Sequence, residues 1–450
     1  MGRNLALNLV DHGVPLVAWE RDPALAATAR AALPTTTQWA NTPAELAQAL
    51  PRPKAILLMV QAGEAVDSVI AALRPALSPD DIIIDGGNAD TRDTERRQIA
   101  LAANGGPKLI GLGVSGGEDG ARYGPSLMAG GDARAWERVR PALEAIAARA
   151  EDGAACCARL GNGAAGHFVK TVHNGIEYAV MQALAEAYDA MRHGLRLDVD
   201  TIAKAFADWN TGRSQGFLVE IAAEVVATRG ADGCPLIDRI VDRAGQKGTG
   251  RWASLAALEY GVPAPSIAEA VFARAISSRS EERQALDSKL PSSGLELDLD
   301  TLADAVHATT IAAFVQGFDM IATADEAQQW NVQIPDVARV WRAGCILRAS
   351  LLNRLAAAAE VVPAGASLLR APELRAELDA ALPGLRRTVA ATALAGIPAP
   401  VHGSALAWIE GMTRARGPAN LLQGLRDRFG AHGFERTDAP GTHHGEWRRA

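Results

Sequence analysis

Short apolar runs rich in Val, Ile and Leu recur along the first third of the chain, at Val14–Trp19, Ala55–Val60, Ile82–Asp85 and Leu109–Val114. Each has the length and β-branched content of a strand buried on both faces. Between them lie alanine-rich stretches with helix start signals such as Asp22-Pro23 and Thr42-Pro43, a capping residue before a first-turn proline. This alternation predicts a Rossmann-like α/β domain with a doubly wound parallel sheet over residues 1–163. Beyond Ala164 the strand signals fade into long helical patterns, broken by Gly and Pro at 230–233, 261–265, 291–294, 363–365 and 396–400. They predict a large all-α domain over 164–420, followed by a polar C-terminal tail over 421–450.

One helical stretch, 161–182, has two unlike faces. Phe168, Val172, Ile176 and Ala179 make an apolar face. Lys170, His173, Asn174, Glu177 and Tyr178 fall at i, i+3, i+4, i+7 and i+8 and form a stripe opposite it. A solvated helix face repeats Glu and Lys; this one holds five different functional groups. Lys170 and Glu177 stand two turns apart, about 10 Å along the axis. That spacing suits a base and an acid with a small substrate between them.

The opening is unusual for a dinucleotide domain. Such a domain begins with a strand, then G-x-G-x-x-G, then a helix. Met1-Gly2-Arg3-Asn4-Leu5-Ala6 reads as the last glycine and the helix behind it, so the first strand is expected to be missing and the start to be an internal methionine. At the end of the second expected strand, Glu20 would accept from the 2′-hydroxyl of NAD, whereas Arg21 would support the 2′-phosphate of NADP. Two further loops follow strands: Asp85-Gly86-Gly87-Asn88, and the 113–120 segment GVSGGEDG, whose consecutive N–H groups suit an anion. In the helical part, the 244–251 segment AGQKGTGR puts Lys247 and Thr249 between glycines, a loop fit for phosphate without Walker spacing. Arg274, considered alone, reads as a helix-surface charge.

Composition narrows the class. The chain has 450 residues and a formal net charge of −7, which points to no nucleic-acid partner. Cys156, Cys157, Cys234 and Cys345 lack metal-ligand spacing and read as reduced thiols; no metal is expected. No uncharged apolar run reaches the length of a membrane span, and no secretory pattern opens the chain. A cytoplasmic protein with no membrane partner is expected. His443-His444 makes a poor chelate and is read as part of a flexible tail.

The ordered motifs resemble the 6-phosphogluconate dehydrogenase family from Gly2 into the tail. The matching blocks are IIDGGN at 83–88, GVSGGEDGARYGPSLMAGG at 113–131, GHFVKTVHNGIEYAVMQ at 166–182 and AGQKGTGRW at 244–252. EYGVPAPSIAEAVFAR at 259–274, WRAGCILR at 341–348 and LRDRFGAH at 425–432 continue the series.

The resemblance implies oxidative decarboxylation of 6-phospho-D-gluconate to D-ribulose 5-phosphate in the pentose phosphate pathway, with reduction of NADP. It further implies a homodimer whose tail completes the neighbour's site. Lys170 is implied as the base at the C3 hydroxyl and Glu177 as the acid that protonates the enediol. Asn88, Ser115, Gly116, Gly117, His173 and Asn174 are implied at the sugar acid's carboxylate and hydroxyls. Tyr178, Lys247, Thr249 and Arg274 are implied at its phosphate, with Arg426 and His432 from the other subunit. On the cofactor side the implied residues are Gly2, Glu20, Arg21, Val60, Ala62 and Asn88. A lysine base needs a lowered pKa, for which Lys247 and Arg274 are the expected like-charge neighbours.

Three departures stand out. The first strand and two glycines are absent, Glu20 and Arg21 replace a common Asn and Arg so that NAD is admitted beside NADP, and Gln61 replaces a common lysine. Two rivals follow: a β-hydroxyacid dehydrogenase that does not decarboxylate, and a catalytically impaired relative that only binds ligand. The long second half and the Lys247–Arg274 set oppose the first; Lys170 and Glu177 oppose the second.

Overall fold

A computed structural model describes residues 1–246, 248–287 and 294–447. The chain forms two units, Met1–Ala405 and Leu406–Ala450. In the first, strands β1 (Val17–Ala18) and β2 (Gln38–Trp39) pair in parallel as a small separate sheet. A five-stranded sheet follows in the order β3 (Ala55–Leu58), β4 (Ile82–Asp85), β5 (Lys108–Ser115), β6 (Ser126–Gly130) and β7 (Cys157–Gly161). The expected strand at 14–19 is therefore shorter than its apolar run. The expected strands at 82–85 and 109–114 lie within a residue of β4 and β5, and the run 55–60 extends two residues past β3.

The isoleucines of β4 show why this sheet is internal. Ile82 and Ile84 pack with Ile110, Leu112, Trp136, Val139 and Leu143 on one face. Ile83 packs with Ile56, Leu58, Val66, Ile70 and Leu73 on the other. With a side-chain period of two, helices must cover both faces.

The sheet is not wholly parallel. β3, β4 and β5 are parallel, but β6 runs antiparallel to β5, pairing Gly111 with Gly130 and Ser115 with Ser126. The connection Gly116–Pro125 holds only the short helix Gly117–Tyr123. A parallel crossover needs a dozen residues or more, so the chain turns back instead. β7 is then parallel to β6.

Between the small sheet and the larger one lies a cavity of about 790 Å³. It is lined by the helix Gly2–Asp11, by β1 and by the edge strand β3, through Leu5, Leu9, Val17, Ala18, Ile56 and Leu58. This is where a Rossmann-like sheet carries its first strand. The two sheets do not join across it.

The rest of the first unit is helical. The helix Ala165–Asp189 packs on Leu299–Gln328, Thr249–Glu259 and Pro265–Ser277 and against β5 and β6. Leu299–Gln328 is long and apolar enough to span a membrane, but its apolar window is 83% buried inside the protein. It is a core helix.

The second unit carries the helix Ala419–Gly430 and a two-stranded ribbon, Phe434–Glu435 with Thr442–His443. As far as Trp447, one carboxylate ties the ribbon and the segment after it to the helix. Buried Asp427 accepts from the Gly433 and Gly445 amides and the Trp447 indole, and His444 Nδ1 lies 2.6 Å from it. Asp427 is thereby held well below the ordinary carboxylate range, chiefly by the Gly445 amide.

Candidate active site

The helix Ala165–Asp189 reaches the sheet by giving up side chains. A β carbon at Gly166 would fall 2.4 Å from the Met128 carbonyl and 2.5 Å from the Gly111 carbonyl. Gly113 lies as close to the helix: its added carbon would meet Lys170 Cβ at 2.5 Å. On the other side, Gly175 faces Ala253 and Ile267, and Gly317 faces Ile176 and Val172. Both faces of the helix are thus covered, so the polar stripe is internal rather than a solvated surface. Lys170, His173 and Asn174 are buried.

This places the stripe against the glycine loop that ends β5. Ser115 Oγ is 3.2 Å from His173 Nε2, and Lys170 Nζ is 3.3 Å from His173 Nδ1. A neutral imidazole protonated at Nε2 satisfies both contacts, donating to Ser115 and accepting from Lys170. Burial, then the Lys170 charge, holds His173 well below its ordinary pKa, which favours that neutral form. Asn174 Oδ1 and Glu177 Oε2 lie 3.3 and 3.8 Å from Nδ1.

Burial also lowers the Lys170 pKa, with Glu177 opposing, and raises that of Glu177, with Lys170 and Arg274 opposing. The expected cause for Lys170 is therefore corrected. Desolvation depresses it, not like charge from Arg274; Lys247 lies outside the described residues.

The loop itself needs glycine. Gly116 has φ +107° and Gly117 φ +66°, in the region that L side chains avoid. A side chain at Gly116 would also strike the Gly344 carbonyl at 2.5 Å. That same carbonyl accepts from the Ser126 amide, so the turn after Trp341 braces the loop. The Trp341 ring meets His173 edge-on at 5.5 Å, and its indole N–H points to Met128 Sδ at 3.2 Å.

Asn88 is exposed at the turn that follows β4. Asp85 Oδ1 accepts from the Gly87 amide, and Asp85 Oδ2 lies 3.4 Å from Arg97, whose guanidinium also binds Asp67. His167, one turn before Lys170, contacts the Asp85 carbonyl at 3.0 Å and Thr94 Oγ1 at 2.7 Å. The helix that carries Lys170 is thus tied to the turn that presents Asn88. Asp85, Arg97, His167 and Trp341 had been given no role from sequence. Their signal was present, since all but Arg97 sit within the matching blocks.

Arg274 is not a lone surface charge. Its guanidinium lies 3.4 Å from the Tyr178 ring centroid, and it donates to the Gly245 carbonyl at 3.1 Å. Thr249 opens the helix Thr249–Glu259, and Gly250 packs against Tyr178. The structure so gathers Tyr178, Thr249 and Arg274 around one helix N-terminus, where free amides favour an anion.

On the cofactor side, Gly2, Glu20, Arg21 and Val60 all line the 790 Å³ cavity, and Gln61 joins them. Ala62 is in the turn after β3. The helix Gly2–Asp11 has no side-chain cap at its start, which leaves its first amides for a ligand. Glu20 and Arg21 follow β1, Val60 and Ala62 follow β3, and Gly2 opens a helix; strand ends and a helix start of this kind are where a dinucleotide would be held. Arg426 and His432 belong to the second unit, on and just after the helix Ala419–Gly430.

Comparison with known proteins decides the family. Residues 1–161 match the NAD binding domain of 6-phosphogluconate dehydrogenase, and residues 166–447 match the 6-phosphogluconate dehydrogenase C-terminal domain. This chain belongs to the 6-phosphogluconate dehydrogenase family. The decarboxylating 6-phosphogluconate dehydrogenase of Treponema pallidum is 43% identical over 457 residues, covering 98% of this chain and 93% of the relative. That of Caenorhabditis elegans is 41% identical over 453 residues, with 98% and 93% covered. The Plasmodium falciparum 6-phosphogluconate dehydrogenase structure, described apo, with NADP+ and with 6-phosphogluconate, superposes with a TM-score of 0.94 at 34% identity. It covers 99% of this chain and 98% of that one.

Proposed function

We propose that this 6-phosphogluconate dehydrogenase oxidises 6-phospho-D-gluconate at C3 and decarboxylates the product to D-ribulose 5-phosphate, with NADP as oxidant. One observation carries the assignment of roles. On a single helix, burial pushes Lys170 down toward its neutral form and Glu177 up toward its protonated form. A neutral amine is a base and a protonated carboxyl an acid, which the two halves of the reaction require.

Lys170 takes the proton of the C3 hydroxyl. A bound nicotinamide would supply the acceptor for the C3 hydride. The resulting 3-keto acid carries its carboxylate β to the carbonyl, so carbon dioxide leaves with its bonding electrons taken up by the carbonyl oxygen. Lys170, now protonated, returns its proton there to give the enediol. Glu177 then protonates the enediol carbon while Lys170 takes back the hydroxyl proton, and the ketone of ribulose 5-phosphate forms. His173, between Ser115 and Lys170, holds the lysine on the substrate side. Asn88, Ser115, Gly116, Gly117 and Asn174 bind the carboxylate and hydroxyls, and Tyr178, Lys247, Thr249 and Arg274 the phosphate. Gly2, Glu20, Arg21, Val60, Ala62 and Asn88 face the cofactor.

The same reading divides the chain at 163/164 and 420/421 and makes the enzyme a homodimer. The helix Ala419–Gly430 supports this with exposed Leu421, Leu422, Leu425 and Phe429, which span roughly 100° of its circumference. Such a face fits a second copy, to whose phosphate site Arg426 and His432 are assigned. The four cysteines are free thiols, in keeping with a cytoplasmic enzyme.

Lys170→Met tests the central role: turnover should vanish while 6-phosphogluconate still binds. Near-normal turnover from the folded variant would remove Lys170 from the mechanism. Mixing that variant with Arg426→Ala tests the shared site. Subunit exchange should restore part of the activity, because one pocket per dimer is then intact. No recovery despite proven exchange would contradict a site completed in trans.

A further inference from the structure

The turn that carries Asn88 is built on Gly86 and Gly87, the most permissive backbone a chain can have. Of residues 85–89 only Asn88 is exposed. A single imidazole grips this turn from outside. His167 Nε2 faces the Asp85 carbonyl at 3.0 Å, just before the glycines. A carbonyl can only accept, so the proton sits on Nε2. Nδ1 is then an acceptor, and Thr94 Oγ1 donates to it at 2.7 Å. Thr94 stands on the helix Thr91–Ala103, whose N-terminus is capped by Asp90, just beyond Asn88. One ring thus holds both ends of the turn. His167 and Thr94 are buried, and β5 leaves room for their contact. A β carbon at Gly111 would fall 2.8 Å from His167 Nδ1 and 3.1 Å from Thr94 Cγ2. The catalytic helix does not depend on this grip, because Gly166 already seats it on the Met128 and Gly111 carbonyls. What the ring fixes is the turn.

We propose that His167 is a positioning residue for hydride transfer: it clamps the turn 85–90 so that Asn88 aligns substrate with cofactor, and it takes no part in the later proton transfers. The inference rests on the function proposed above, in which Asn88 alone faces both the sugar acid and the cofactor. Hydride transfer is the step at which those two meet, and a displacement of about 1 Å there costs on the order of 10²-fold in rate. The later steps move protons between the sugar and Lys170 or Glu177, both on the separately seated helix.

The test reads the two halves of the reaction apart. Cofactor reduction with 6-phosphogluconate reports hydride transfer. Exchange of the C1 proton of ribulose 5-phosphate in heavy water, with reduced cofactor present, reports Lys170 and Glu177 alone, by reversal of the last step. His167→Asn keeps an acceptor near the Nδ1 position and drops the donor to Asp85. It should lower kcat for cofactor reduction by about 10²-fold and leave C1 exchange within about threefold of wild type. His167→Gln, which returns a donor near the Nε2 position, should recover at least about tenfold of the loss. Adding His167→Asn to Asn88→Ala should cost less than about threefold more, because the first acts through the second. If His167→Asn does not fold, Thr94→Val against Thr94→Ser decides by the same split. Loss of C1 exchange in step with cofactor reduction, or losses that multiply in the double variant, overturns the proposal. A wild type that reduces cofactor without releasing carbon dioxide contradicts the proposed reaction instead, and the double-variant comparison on cofactor reduction still decides the role of His167.

Discussion

Gly113→Ala adds one methyl group where the sheet meets the catalytic helix at Lys170. The new carbon falls 2.5 Å from Lys170 Cβ and 3.1 Å from both Lys170 Cγ and the Gly166 carbonyl. Carbon atoms rest at about 3.5–4.0 Å, so roughly 1 Å must open. β5 is held by ladders to β4 and β6 on both sides, and the helix is held at Gly166. The strain therefore falls on Lys170, whose side chain begins at the clash. A displacement of about 1 Å at a reacting group costs on the order of 10²-fold in rate, or about 2.7 kcal/mol in the barrier. Overpacking should also remove about 1–3 kcal/mol of stability. The assay is kcat for reduced-cofactor formation, with urea unfolding alongside. Gly120→Ala is the control: there the new carbon meets the Ser115 carbonyl at an ordinary 3.4 Å within a helix. A folded Gly113→Ala enzyme with kcat within about threefold of wild type would refute the reasoning.

Arg274→Ala should raise KM for 6-phosphogluconate by about 10–100-fold, the usual weight of a charge-assisted bond, and lower kcat much less. Its kcat/KM for unphosphorylated gluconate should not change; an equal loss there would place Arg274 away from the phosphate. Asp319, in the core helix, is raised by burial to about 7 and accepts from Ser367 Oγ. The folded protein therefore binds this proton more tightly than the unfolded chain. Stability is fully present below the unfolded value of 3.8 and is lost as pH rises toward 7. Asp319→Asn should be the more stable protein at pH 8 by on the order of 2–4 kcal/mol, the difference closing below about pH 4. Thermal unfolding across that range checks the sign, and a variant less stable at pH 8 would reverse it.

The legible parts of this chain were those where one physical demand dominates. β4 is four residues, Ile-Ile-Ile-Asp, buried on both faces, and no other element suits them. The Lys170 stripe was visible because helical spacing gathers its residues whatever surrounds them. β6 and β7 were hidden because Ser-Leu-Met-Ala-Gly and Cys-Ala-Arg-Leu-Gly carry little β-branched content. They are small because the helix N-terminus sits on them, with Gly130 against the Gly166 amide. The antiparallel turn of β6 depends on the length of a connection rather than on any residue in it. Arg274 looked like a surface charge because its partner, Tyr178, lies on another helix. The depressed Lys170 pKa was foreseen with the wrong cause, since burial on all sides is a property of packing that no local pattern reports.

The division of labour between Lys170 and Glu177 is tested most directly by following the reaction in heavy water. Carbon dioxide, reduced cofactor and the ribulose 5-phosphate formed from 6-phosphogluconate would be quantified together. One carbon dioxide should be released per cofactor reduced, and the product should carry a single solvent deuterium at C1, on one face. Glu177→Gln should slow the reaction and lose that facial selectivity. Cofactor reduction without carbon dioxide would make the enzyme a plain hydroxyacid dehydrogenase. Selective deuteration that persists in Glu177→Gln would take the acid's role away from Glu177.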